Sequence, residues 1–65
     1  MNVEIVKLMS ETRRLLIAEA STDRLLMQKV SGALQYKRIP EGLPLAIERL
    51  LDTYIFCYDV LNGRQ

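Results

Sequence analysis

The stretch from Pro44 to Leu61 constrains this 65-residue chain more than any other, because it reads as a helix with more apolar surface than one neighbour can cover. Pro44 suits the first turn of a helix, where a missing N–H costs nothing, and Gly63 suits the left-handed residue just past the end. Glu48 near the start is a favourable charge against the helix dipole. At roughly 100° per residue, Ile47, Leu50, Leu51, Tyr54, Tyr58 and Leu61 fall on one broad face. Glu48, Asp52, Asp59 and Asn62 fall on the opposite one. Ile55 and Phe56 break the pattern by pointing into the acidic stripe. From Tyr54 to Leu61 the helix is apolar almost all the way round, as a helix buried on more than one side would be.

The length allows a single domain spanning residues 1–65. A domain of this size buries only about 60% of its unfolded surface and needs extra support. The usual supports are disulfides, a metal, very good helix packing or oligomerisation. One cysteine permits no internal disulfide and no Cys-rich metal site, and the absence of histidine removes the commonest zinc ligand and general base. Packing and oligomerisation remain, and no cofactor is expected. With 49% hydrophobic and 26% charged residues the composition is that of a globular protein, and a net charge of +1 exerts no strong overall pull on nucleic acid or membrane. Met1-Asn2-Val3-Glu4 lacks the basic start and long apolar run of a signal peptide. The longest unbroken apolar run, Tyr54 to Tyr58, is far short of the roughly 20 residues of a membrane span. The expected setting is therefore a reducing, cytoplasmic one, with Cys57 as a small buried hydrophobe.

Two further helices precede the last. Val3 to Ala20 reads as an amphipathic helix with Asn2 as N-cap; Ile5, Leu8, Met9, Thr12, Leu15, Leu16 and Ala20 share a face. Glu4, Lys7, Glu11 and Arg14 line the reverse with alternating sign, a solvated and self-paired surface. Ser21-Thr22-Asp23 favours caps over helix interiors and predicts a corner, although no Gly or Pro enforces it. The second helix is expected over residues 22–38, with Leu25, Leu26, Val30, Ala33, Leu34 and Tyr36 inward and Arg24, Gln28, Ser31 and Gln35 outward. Gly32 in its middle costs about 1 kcal/mol relative to Ala, for which close approach of another backbone is the expected reason. Ile39 before Pro40 and the Pro40-Glu41-Gly42 turn end the segment. The fold class expected is thus all-α: a small antiparallel bundle of three helices, about 3–20, 22–38 and 44–61, completed by dimerisation.

Charge is segregated along the chain. Residues 21–40 carry Arg24, Lys29, Lys37 and Arg38 against Asp23, net +3; residues 41–65 carry Arg49 and Arg64 against Glu41, Glu48, Asp52 and Asp59, net −2. No catalytic constellation is visible: there is no Gly-rich phosphate loop, no nucleophile with a histidine base, and no acid pair in an apolar pocket. Glu48 and Asp52, four apart, read as solvated. A non-enzymatic regulator or adaptor follows, acting by protein–protein contact as a homodimer through the last helix. Ile55 and Phe56 would be its anchors, Tyr54 and Tyr58 would lie nearby, and Asp52 and Asp59 would form a polar rim.

A second possibility rests on a resemblance. Val30-Ser31-Gly32-Ala33-Leu34-Gln35-Tyr36-Lys37-Arg38-Ile39-Pro40, followed by a Leu-Ala-Ile-Glu helix, resembles the recognition helix and following turn of Cro/phage-repressor helix-turn-helix domains. The likeness covers about a third of the chain, and Ile17 to Asp23 lacks the small-residue-then-Gly turn that the family places upstream. The resemblance implies a DNA-binding regulator in which Gln28, Ser31 and Gln35 face bases while Lys37 and Arg38 touch phosphate. No membrane or small-molecule partner is expected.

Overall fold

Side-chain caps mark the starts of the first two helices, while the third starts at a proline that makes no side-chain hydrogen bond. In the computed structural model, which describes residues 2–63, the helices are α1 (Val3–Ala20), α2 (Arg24–Tyr36) and α3 (Leu45–Leu61). Asn2 takes an extended conformation and its Oδ1 accepts the Ile5 N–H at 3.2 Å, capping α1. At the other end the Ser21 hydroxyl donates to the Ala18 carbonyl at 2.8 Å. Asp23 is extended, and its Oδ1 accepts from the backbone N–H of Leu25 at 3.0 Å and of Leu26 at 3.2 Å. An N-cap of this kind is worth about 1 kcal/mol, and here it turns the chain without glycine or proline. Because Asp23 is the cap, α2 starts at Arg24, two residues later than the pattern of apolar residues predicts.

The end of α2 is also earlier than expected. Lys37 adopts the left-handed conformation at φ 58° and ψ 43°, and its N–H donates to the Ala33 carbonyl at 2.8 Å. This is the αL way of closing a helix, usually given to glycine because a Cβ there costs about 1–2 kcal/mol. The chain then doubles back through Gly42, at φ +80°, where a Cβ would stand 3.7 Å from the Lys29 Nζ. Pro44 serves as the extended N-cap of α3 rather than its first helical residue. Gly63, at φ +71°, follows the last turn as expected.

The core is built from Leu16 and Ala20 of α1, Val30 and Ala33 of α2, and Ile47, Leu51 and Tyr54 of α3, with Cys57 also buried. Buried Thr12 is satisfied by donating its hydroxyl to the Leu8 carbonyl at 2.7 Å. Packing of α1 on α3 is the most extensive of the three helix pairs, and α2 lies more lightly against both. The radius of gyration is 11.5 Å, close to the roughly 10.7 Å expected for a compact domain of this length.

Two inward assignments on α2 are corrected. Leu25 is 62% exposed and Tyr36 is 69% exposed, because α2 packs through Leu26, Met27, Val30, Ala33 and Leu34 and these two side chains lie roughly 120–140° round the helix from the centre of that face. Leu8 and Leu15 of α1 and Leu61 of α3 are likewise exposed at the edge of their apolar faces. No backbone approaches Gly32: a Cβ added there would meet nothing within 4 Å.

Leu51→Ala is expected to cost about 2–5 kcal/mol, a large share of the roughly 3–10 kcal/mol that a domain this small possesses. Urea titration followed by circular dichroism checks this, and a loss under about 1 kcal/mol would remove Leu51 from the centre of the core. The Cys57 thiol is fully buried, and burial pushes its pKa up. Alkylation by iodoacetamide, which needs the thiolate, should be slow in the native protein and fast in denaturant; rapid native labelling would contradict the packing of α3.

Candidate functional site

The outer side of α3 sets one large ring among charges. Phe56 is 59% exposed, and helical spacing places Asp52 four residues before it and Asp59 three residues after it on the same side. Asp52 is exposed and Asp59 half-buried. Ile55 is half-buried and packs against the core, and Tyr54, at 8% exposure, belongs to the core itself. Tyr58 is half-buried beneath the Lys37 ammonium, whose Nζ stands 4.4 Å from the ring centroid. The residues expected to cluster on this surface therefore separate: Phe56 projects, Ile55 is half-buried against the core, Tyr58 lies half-buried about 200° round the helix from Phe56, and Tyr54 faces inward.

Gln28, Ser31 and Gln35 stand exposed along the outer line of α2, and Arg38 is exposed just beyond its end. Lys37 is half-buried, and besides covering Tyr58 its Nζ donates to the Gln35 carbonyl at 3.1 Å. That cation ties the end of α2 to α3. On one side of the outer line lies a shallow hollow of about 360 Å³ between Ser31, Gln35, Arg13, Ile17 and Tyr54. On the other side is an open groove of about 730 Å³. Lys29, Gly32, Ala33 and Tyr36 of α2 line it together with Ile39 and Pro40 of the returning loop, while Gln28 and Arg38 complete its edge.

The two surfaces differ in sign. Two cations, Lys29 and Arg38, and no acid line the groove, whereas two carboxylates bracket Phe56. Among the described residues, Lys29, Arg38, Asp52 and Asp59 have no ion-pair partner. The ion pair that does form, Glu11 with Arg14, lies on the exposed face of α1; its hydrogen bond and charge hold Glu11 below the usual carboxylate range and raise Arg14. No group of three or more His, Cys, Asp or Glu side chains among the described residues is placed to hold a metal, and no helix is long and apolar enough to cross a membrane.

Sequence reasoning reached Phe56 and the outward row on α2 but missed the groove. The signal was present in Gly32, a helix-interior glycine one turn before Tyr36; open space rather than a close backbone lies beside it. Compared with protein-family models, with curated proteins and with solved structures, the chain finds no match.

Proposed function

We propose that this chain is a non-enzymatic interaction module, a small regulator or adaptor that self-associates as a homodimer through the outer side of α3. The observation that supports it is the Phe56 ring, 59% exposed on a well-formed helix and rimmed by Asp52 and Asp59. A large apolar ring held out in water by a rigid helix gains little for the lone chain. At the centre of an interface such a side chain commonly dominates the binding energy, with charged neighbours excluding water around it.

Light scattering should give a mass twice the 7.5 kDa of one chain. Phe56→Asp should reduce it to the mass of one chain while helix content by circular dichroism is kept, since the ring contributes little to the core. A wild type that stays single at high concentration, or a variant that associates as the wild type does, rules the reading out.

One observation favours a second reading, a helix-turn-helix DNA binder: Gln28, Ser31 and Gln35 are exposed in a row on a helix that follows another after a three-residue corner, with Arg38 free beside them. On that reading Lys37→Glu combined with Arg38→Glu abolishes retention on duplex DNA, and wild-type binding falls steeply as salt rises. Failure to bind duplex at low salt ends it.

A further inference from the structure

We infer that the partner of the Phe56 surface is the α2 groove of a second copy, so that two chains exchange ring and groove reciprocally. The inference rests on the proposed self-association and names the surface that receives the ring. Three observations converge on it. The groove is unfilled in the single chain, with about 730 Å³ open beside Gly32. Its lining includes a large ring out of place in water, Tyr36 at 69% exposure, and beyond the groove on the same side of α2, about three turns towards its start, Leu25 is 62% exposed.

The third observation is charge. Lys29 and Arg38 line the groove, Asp52 and Asp59 flank the ring, and all four lack ion-pair partners among the described residues. An acid-rimmed ring entering a base-rimmed groove brings opposite charges together at the edge, which fixes orientation and speeds encounter. An aromatic pair between Phe56 and the partner's Tyr36 would add to apolar burial. Gly32 then has a purpose, since any side chain there would occupy the space that the ring takes. Reciprocal exchange between two copies closes a dimer, whereas a one-way contact would propagate into a filament.

The test is a charge swap on the full chain, read by light scattering over a range of concentrations. One variant carries Lys29→Glu and Arg38→Glu; the other carries Asp52→Lys and Asp59→Lys. Each alone sets like charges against each other and should remain single. Mixed in equal amounts, each ring meets a groove of opposite sign, and association should return. Gly32→Leu provides a second probe: it should raise the dimer Kd about tenfold or more while the thermal midpoint holds or rises. If the wild type is single at all concentrations, both the self-association and the groove assignment fall. If the wild type pairs but both charge variants pair equally well alone, or Gly32→Leu leaves Kd unchanged, self-association stands and the groove assignment is overturned.

Discussion

The packing of α1 against α3 is the interaction on which the rest of the molecule depends. It brings together Leu16, Ala20, Ile47, Leu51 and Tyr54, and α2 completes the core with buried Val30 and Ala33 and half-buried Leu26, Met27 and Leu34. With no internal disulfide available, hydrophobic burial must supply the stability, and a chain of this length cannot bury everything it carries. The surplus is spread over all three helices. Leu25 and Tyr36 project from α2, Phe56 and Leu45 from α3, and Val3, Leu8 and Leu15 from α1, and the large aromatic rings among them, Tyr36 and Phe56, stand on the two later helices.

Charge sorts these surfaces further. The carboxylates of α3 lie beside its projecting ring, and the cations of α2 and the following loop lie beside the groove. The same segregation that leaves the whole chain near neutrality gives it two faces of opposite sign. A net charge of +1 therefore conceals the electrostatic character of the molecule. Local fields of this kind act over about 8 Å at physiological salt.

The helices were legible because their signals are local. Asn2, Asp23, Pro44 and Gly63 mark ends through their own backbone preferences, and three elements follow from them without knowledge of the packing. The early close of α2 at Lys37 was not legible, since a left-handed lysine depends on tertiary support that includes the Tyr58 ring. Leu25 and Tyr36 were misassigned because periodicity identifies an apolar arc but not how much of it neighbours will cover. Phe56 was legible as an outward residue because it interrupts an acidic stripe. The groove was not, because one wall of it comes from Ile39 and Pro40, whose position depends on the loop folding back to Gly42.

The light seating of α2 has a consequence for how the molecule breathes. Domains open locally in cooperative units whose cost follows the contacts each unit makes. With α1 and α3 holding each other most extensively, α2 is the unit whose release disturbs least, and its amide protons should exchange through partial opening while those of the other two wait for global unfolding. Recognition and lability would then reside in the same thirteen residues, so that anything seated on α2 would also act as its fastening.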